Sequence, residues 1–274
     1  MSEFNLEDYK KYDKFIVSEV EEGFYHVQFN NPKSLNAFTE QVWRDYAEIL
    51  ERLDKCEETS VILISSAIPK AFSSGLDLKD AIKTMSSTVL NSEKERYDSL
   101  HQHIVDFQYC IAAPARIRTP TICLMNGINY GLALDISSAC SIRVATADCK
   151  FSIREIKIGI PADIGSLQRM PTIVNNKSLM YQYALTGGVF GADEATKLGF
   201  VSAVLPDLNA GVEYCKNLGE NINQHQQWAI KGTKESIQSI VDNGSPSEGL
   251  KNIAHYNATH IDGRFVRAMS GIKL

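Results

Sequence analysis

Three carboxylates within a single stretch constrain this chain more than any other feature. The stretch runs from Asn126 to Arg169 and is typical of a Gly-led turn, a short apolar helix, two strands and a loop that opens a second helix. Asp135 has small or apolar neighbours, Glu155 follows a strand-like run, and Asp163 lies in a loop between glycines. Burial raises the pKa of a carboxyl group and is costly unless the group is paired or hydrogen-bonded. Each acid alone fits a helix cap or a turn, but together they predict proton-transfer chemistry.

Two glycines place backbone amides where they can bind negative charge. Gly75 precedes Leu76 after a strand-like run, and Gly131 precedes Leu132 at the start of the helix that carries Asp135. Free N–H groups at such turns point outward and favour an anion. Two of them on one oxygen form an oxyanion hole, in which each donor is worth roughly 3 to 4 kcal/mol. Without a G-x-S-x-G motif, this arrangement favours enolate chemistry on a thioester over Ser–His hydrolysis.

Composition narrows the function classes. The chain has 274 residues, 44% of them hydrophobic, and a net charge of −5. The alternation of strand and helix patterns predicts an α/β core over residues 1–205, and the helical pattern that follows predicts a helical region over 206–274. The net charge argues against a nucleic-acid surface. No apolar run is long enough for a membrane span, and no metal-ligand cluster is visible. The six cysteines are predicted to be reduced core thiols of an intracellular protein, and His101 and His103 to lie on a helix surface.

Hydrophobic periodicity predicts the main elements. An antiparallel hairpin is expected over residues 15–30, and buried strands over 60–66 and 120–125. A helix is expected over 39–55, and the pattern from residue 208 onward is helical. Residues 85–95 are polar and are interpreted as a surface loop or a frayed helix.

The two ends of the chain bear on its compartment. The first residues mix acids with lysines and resemble neither a secretory signal nor a transit peptide. The last three, Ile272, Lys273 and Leu274, match two positions of the Ser-Lys-Leu peroxisomal signal. The sequence therefore favours a peroxisome, with the mitochondrion or the cytoplasm as alternatives.

From about Phe15 onward the chain resembles the crotonase, or enoyl-CoA hydratase/isomerase, superfamily. The resemblance is carried by NNPKSLNAF, KAFSSGLDLKD, NGINYGLALDISSACSIRVATADCKF, FSIREIKIGIPADIGSLQRMPTIV and LTGGVFGADEATKLGFVSAVLP. It implies a crotonase (ClpP/crotonase-like) ββα spiral core, and a helical C-terminal region that assembles trimers or hexamers. Many members have three glycines at the second turn, where this chain has Gly131, Leu132 and Ala133. A leucine amide still donates when its φ is helical or extended.

Within the superfamily, the set Asp135, Glu155 and Asp163 looks most like the Δ3,5-Δ2,4-dienoyl-CoA isomerases of β-oxidation. The resemblance implies that Glu155 takes the C2 proton, Asp163 delivers a proton at C6, and Asp135 helps to set their protonation. It also implies that the Leu76 and Leu132 amides hold the thioester oxygen. Coenzyme A then arrives as part of the acyl-CoA substrate, with no separate cofactor. The substrate-binding residues implied are Ser74, Gly75, Leu76, Asp77, Leu78, Gly131 and Leu132.

Two alternatives stay open at this point. A Δ3-Δ2-enoyl-CoA isomerase or an enoyl-CoA hydratase would share the fold, and Asp163 is the residue that discriminates. A catalytically silent crotonase-fold protein that binds RNA or a partner would belong to another class, and the net charge of −5 and the retained acids argue against it.

Overall fold

The computed structural model describes residues 5–88, 92–242 and 244–262, so the predicted C-terminal signal at residues 272–274 lies outside the described residues. The strands are β1 (Phe15–Glu21), β2 (Phe24–Phe29), β3 (Val61–Ser66), β4 (Ala71–Ser73), β5 (Thr121–Met125), β6 (Ile128–Tyr130), β7 (Ile142–Thr146), β8 (Lys150–Ser152), β9 (Phe190–Gly191) and β10 (Ala203–Leu205). The helices are α1 (Glu40–Lys55), α2 (Leu78–Thr88), α3 (Glu93–Ile111), α4 (Ala113–Arg116), α5 (Leu132–Ala139), α6 (Ser166–Ile173), α7 (Lys177–Thr186), α8 (Ala192–Leu198), α9 (Leu208–Asn223), α10 (Gln227–Val241) and α11 (Pro246–His260).

The strands form two sheets. The first has the order β1-β2-β3-β5-β7-β10 and is parallel apart from the β1–β2 hairpin. The second has the order β4-β6-β8-β9, with only the β8–β9 pair antiparallel. β3, β5 and β7 are each followed by a strand of the second sheet and then by helical segments. This repeated ββα unit confirms the predicted crotonase-type α/β core.

Both faces of the first sheet are buried, which explains its continuous apolar strands. In β3, Ile62 and Ile64 belong to the main hydrophobic core, whereas Val61 and Leu63 pack on the opposite face. Successive side chains of a strand point to opposite faces, so a strand covered on both sides needs an unbroken apolar run. The apolar runs at residues 60–66 and 120–125 are confirmed as strands of this kind.

Helix α9 covers the opposite face at close range. A Cβ atom on Gly219 would lie 2.3 Å from the Phe24 ring, and one on Gly211 would lie 2.8 Å from the Leu124 side chain. Both glycines therefore let the helix backbone approach the sheet. Helix α10 is joined to the core through Lys234, whose Nζ donates to the carbonyl oxygens of residues 114, 117 and 119 at 2.5, 2.5 and 3.0 Å. The division at residue 206 and the assembly into trimers stay predictions.

The structure decides between the two interpretations of residues 85–95, as far as it describes them. Over residues 85–88 and 92–95 the loop interpretation is wrong and the helical one agrees, because α2 extends to Thr88 and Ser92 caps α3 with a complete capping box. In the second sheet, the strand-like run before Glu155 is β8, but β4, β6 and β9 were not predicted from periodicity, since each has only two or three residues. Such short strands carry no readable alternation.

The close approach of α9 predicts that Gly219→Ala destabilises the protein. Alanine normally stabilises a helix interior relative to glycine by about 0.5 to 1 kcal/mol. Here its methyl group meets the buried Phe24 ring, and overpacking of this kind costs about 1 to 3 kcal/mol. Urea unfolding should show the loss. The matched control is Gly249→Ala on α11, where the nearest atom is a side-chain methyl of Ile240 at 3.1 Å, and which should leave the stability unchanged or raised. A Gly219→Ala protein as stable as the parent would contradict this packing.

Candidate active site

The two glycine turns foreseen from the sequence lie against each other. Gly75 has φ +104° and Gly131 has φ +52°, both in the left-handed region that glycine tolerates best. A Cβ atom on Gly75 would lie 2.8 Å from the Tyr130 carbonyl oxygen and 3.8 Å from the Leu132 nitrogen. The segments after β4 and after β6 therefore bring their amides to one place.

The amides of Leu76 and Leu132 are available to a ligand. Phe38 bridges the first turn by donating to the Gly75 carbonyl and accepting from the Asp77 N–H, both at 2.9 Å, and this bridge leaves the Leu76 N–H unused. Leu132 is the first residue of α5, where the helix supplies no acceptor for its N–H. Within the described ranges, neither N–H takes part in a hydrogen bond.

Glu155 lies directly beside the second turn. It opens a 3-10 helix after β8, and its Oε1 would be 2.8 Å from a Cβ atom on Gly131. Its Oε2 is buried and has no hydrogen-bond partner among the described residues. Burial, followed by repulsion from Asp135 and then from Asp163, raises the pKa of Glu155 to about 7. A carboxylate of this kind exchanges protons near neutral pH.

Asp135 is the most buried of the three acids, with 1% of its surface exposed. Its Oδ1 accepts a hydrogen bond from the Ser166 N–H at 2.6 Å, at the start of α6. Burial raises the pKa of Asp135 to about 6, although the Ser166 amide and the Arg169 guanidinium favour its charged form. Arg169 also donates to the Asp135 carbonyl oxygen at 3.1 Å, which fixes α5 against α6.

Asp163 lies in the loop before α6 and is partly buried. Its carbonyl oxygen accepts from Gln108 Nε2 at 2.6 Å, which places the loop next to the C-terminal half of α3. Burial raises the pKa of the Asp163 carboxyl group. Its charge in turn raises the pKa of both Asp135 and Glu155, so the three acids interact electrostatically.

All three acids line one cavity of about 620 Å³. Six of the predicted substrate-binding positions also line it, and they are Ser74, Gly75, Leu76, Leu78, Gly131 and Leu132. Asp77 does not line the cavity, because its Oδ1 caps α2 by accepting from the amides of Lys79 at 3.0 Å and Asp80 at 3.2 Å. Asp77 therefore positions the turn through its backbone and caps the helix with its side chain.

Other cavity residues were not foreseen. Trp43 and Phe107 stack with ring centroids 4.9 Å apart, and His103 meets Trp43 at 5.9 Å. Of the two histidines predicted on the helix surface, His101 is exposed, whereas His103 is partly buried and its side chain lines this cavity. At another part of the cavity wall, Arg154 lies 4.4 Å over the Tyr130 ring. The apolar stripe of α3 was visible in the sequence, but a cavity wall and a packed core have the same pattern.

Two other expectations concern metals and membranes. Within residues 5–88, 92–242 and 244–262, no group of three His, Cys, Asp or Glu side chains is arranged to hold a metal ion. No helix in the described part of the chain has the length and hydropathy of a membrane span.

All six cysteines are free, and all but Cys56 are buried.

Comparison with known proteins agrees with this architecture. The chain is 33% identical over 258 residues to the peroxisomal Δ3,5-Δ2,4-dienoyl-CoA isomerase of Arabidopsis thaliana, covering 92% of this chain and 90% of that protein. It is 30% identical over 250 residues to the mitochondrial Δ3,5-Δ2,4-dienoyl-CoA isomerase of Rattus norvegicus, covering 90% and 75%. The structure superposes on the enoyl-CoA hydratase of Bacillus anthracis with a TM-score of 0.79 at 21% identity, covering 94% and 96%, which shows the fold.

The family model for enoyl-CoA hydratase/isomerase matches residues 19–259. That range contains both glycine turns and all three acids of the cavity. The chain belongs to the enoyl-CoA hydratase/isomerase family.

Proposed function

We propose that this protein is a Δ3,5-Δ2,4-dienoyl-CoA isomerase of unsaturated fatty acid β-oxidation. The observation that carries the proposal is the presence of a second acid, Asp163, in the same cavity as Glu155, with the pKa of both raised. A 1,5 proton shift needs two groups that exchange protons at separate carbons of one chain. The names of the relatives from Rattus norvegicus and Arabidopsis thaliana support the same choice.

In this proposal the thioester carbonyl oxygen accepts hydrogen bonds from the Leu76 and Leu132 amides. Both N–H groups are fixed by the backbone before the substrate arrives, so no reorganisation is needed as charge develops on the oxygen. Glu155 beside Gly131 then lies next to the α-carbon of the bound thioester. The segment from Ser74 to Leu78 contacts the coenzyme A part, which the substrate supplies.

The proton balance assigns the two acids complementary states. Ionised Glu155 removes a proton from C2, and the electron pair delocalises onto the thioester oxygen on one side and through the diene as far as C6 on the other, as a dienolate. Protonated Asp163 then gives its proton to C6, and the double bonds move to the 2,4 positions. The turnover leaves Glu155 protonated and Asp163 ionised, so Glu155 must release a proton and Asp163 must take one up before the next forward reaction.

Two interacting carboxyl groups in a poorly hydrated cavity hold a single proton over a range of pH. The charge of Asp135 raises the pKa of Glu155. It therefore extends to higher pH the range over which the pair of Glu155 and Asp163 holds one proton. The hydrogen bond of Asp135 to the Ser166 amide holds the carboxylate in place beside the other two acids. Asp135 is therefore assigned a positioning and electrostatic role.

The second candidate is a Δ3-Δ2-enoyl-CoA isomerase or an enoyl-CoA hydratase. A hydratase adds water across the double bond, whereas this cavity is lined by apolar residues such as Ile104, Phe107 and Ile164. We further propose a homotrimer or homohexamer located in the peroxisome, or alternatively the mitochondrion. Relatives in both organelles carry the same isomerase name.

The assignment of the two acids predicts the activity of their amide variants. Ultraviolet absorbance should follow the conversion of a 3,5-dienoyl-CoA to the conjugated 2,4-product by the parent protein. Glu155→Gln and Asp163→Asn should each lower kcat by about 10²- to 10⁴-fold, the usual contribution of a general acid or base. The matched control, Asp193→Asn at an exposed position of α8, should keep the parent rate.

The outcomes separate the candidates. An Asp163→Asn protein that isomerises dienoyl-CoA at the parent rate would contradict the proposal and favour the enoyl-CoA isomerase or hydratase. A parent protein that has no dienoyl-CoA isomerase, enoyl-CoA isomerase or enoyl-CoA hydratase activity, but retards RNA in a gel-shift assay, would favour the non-catalytic alternative.

The raised pKa of Glu155 also predicts how stability depends on pH. The folded protein binds this proton more tightly than the unfolded chain, so the contribution is complete below about pH 4.5 and is lost as pH rises through about 7. A shift from 4.5 to about 7 corresponds to about 3 kcal/mol. Glu155→Gln should therefore raise the free energy of unfolding relative to the parent at pH 8 more than at pH 4.5. Equal effects of the substitution at both pH values in urea titrations would show that Glu155 is fully hydrated.

A further inference from the structure

A buried hydroxyl group lies beside the three acids without taking part in the proposed reaction. It belongs to Ser166, the first residue of α6, which leaves only 1% of its surface exposed. Its Oγ has no hydrogen-bond partner among the described residues. Buried polar groups without a partner are costly and are rare in folded proteins. The Ser166 hydroxyl group is therefore held at a cost next to groups that exchange protons.

The backbone fixes Ser166 against Asp135. Gly165 has φ +141° and turns the chain into α6, and the next N–H, that of Ser166, donates to Asp135 Oδ1 at 2.6 Å. The same junction is closed by Arg169, which donates to the carbonyl oxygens of Asp135 and Ile164 at 3.1 and 3.2 Å. Ser166 is not part of the wall of the acid cavity, whereas Asp135 is. Any effect of Ser166 on a bound substrate is therefore transmitted by Asp135.

Ser166 offers Asp135 two donors of different kinds. Burial raises the pKa of Asp135, and the Ser166 N–H and then its hydroxyl group oppose that rise by favouring the charged carboxylate. The N–H is fixed by the backbone. The hydroxyl group lies near the carboxylate without completing a hydrogen bond, and a serine side chain can change its χ1 rotamer to turn toward an acceptor. Only the hydroxyl group can be removed by substitution, so its contribution can be measured.

The charges around Asp135 make a single hydrogen bond decisive. Arg169 of α6 favours the ionised form of Asp135, whereas Asp163 in the preceding loop disfavours it. Asp135 and Glu155 repel each other, so the ionisation of one opposes that of the other. Burial raises the pKa of Asp135 to about 6 and that of Glu155 to about 7. Because these values are close, a shift of one unit at Asp135 changes which of the two groups holds a proton near neutral pH.

We propose that Ser166 is a positioning residue whose hydroxyl group donates to the Asp135 carboxylate and keeps it ionised while Glu155 exchanges its proton. This role rests on the proposed function, in which Glu155 is the base. A negative charge on Asp135 raises the pKa of Glu155 and makes it a stronger base. Ser166 thus controls the strength of the base through one intervening carboxylate.

Carbon-13 NMR titration of the ligand-free, full-length protein tests the proposal by the direction of two shifts. Ser166→Ala removes a donor to the charged form, so the titration midpoint of Asp135 should rise by about one pH unit. The midpoint of Glu155 should fall at the same time, because Asp135 is then neutral over more of the range in which Glu155 titrates. If Ser166 served only to pack the site, its loss would admit water and lower both midpoints.

Three variants serve as controls. Ser166→Thr keeps the hydroxyl group and should keep both midpoints near the parent values. Ser137→Ala removes another buried hydroxyl group, one that donates to the Leu134 carbonyl at 3.4 Å, and should change neither midpoint. If Ser166→Ala fails to fold, the nearly isosteric Ser166→Cys has only a weak S–H donor and should show the same opposite shifts.

The Asp135→Asn protein shows whether Asp135 transmits the effect, and it also assigns the Asp135 signal. Adding Ser166→Ala to it should leave the Glu155 midpoint unchanged, because the intervening carboxylate is absent. A fall of the Glu155 midpoint in that background as large as in the parent, or no rise of the Asp135 midpoint in Ser166→Ala, would overturn the proposal.

Activity gives a separate readout. In Ser166→Ala, the acid limb of the pH dependence of kcat/KM for a 3,5-dienoyl-CoA should move to lower pH, together with the Glu155 midpoint. The NMR titrations need no substrate. A parent protein without dienoyl-CoA isomerase activity would therefore contradict the proposed function and leave the opposite shifts in place, whereas an active parent without those shifts would contradict only the role of Ser166.

Discussion

The candidate active site depends on the conformation of one residue, Gly131. Its φ of +52° turns the chain from β6 into α5 and leaves the Leu132 N–H as the first unpaired donor of the helix. The missing side chain also leaves space for the Glu155 carboxylate, which would otherwise lie 2.8 Å from a Cβ atom. The proposed oxyanion donor and the proposed base are therefore neighbours, because Gly131 has no side chain and has a positive φ.

The electrostatics of the site follow from the same crowding. Desolvation makes the largest contribution to the raised pKa of each of the three carboxyl groups. The charge of Asp163 further raises the pKa of Asp135, and the charges of Asp135 and Asp163 further raise the pKa of Glu155. Such an arrangement destabilises the ionised fold, and a protein keeps it where proton transfer near neutral pH is useful. The Ser166 N–H limits this cost by donating a hydrogen bond to Asp135 Oδ1, and Arg169 connects the same helix to α5.

The sequence predicted those parts of the fold that follow from local patterns. The hairpin, α1 and the buried strands at residues 60–66 and 120–125 have the expected periodicity, and the glycine turns have the expected residues. The position of Asp77 was beyond such reasoning, because a helix-capping aspartate and a ligand-binding one look alike in sequence. The contributions of Trp43 and His103 to the cavity depend on how α1 and α3 pack together. That packing is a tertiary property that neither helix reveals on its own.

The central claim is that Glu155 and Asp163 share a proton in a poorly hydrated cavity. Carbon-13 NMR titration of the side-chain carboxyl groups in the ligand-free protein tests it most directly, with Glu155→Gln and Asp163→Asn assigning the two signals. The account predicts that the Glu155 signal titrates near pH 7 and that Asp163→Asn lowers its midpoint. Independent titration of both groups near pH 4, unaffected by either substitution, would contradict it.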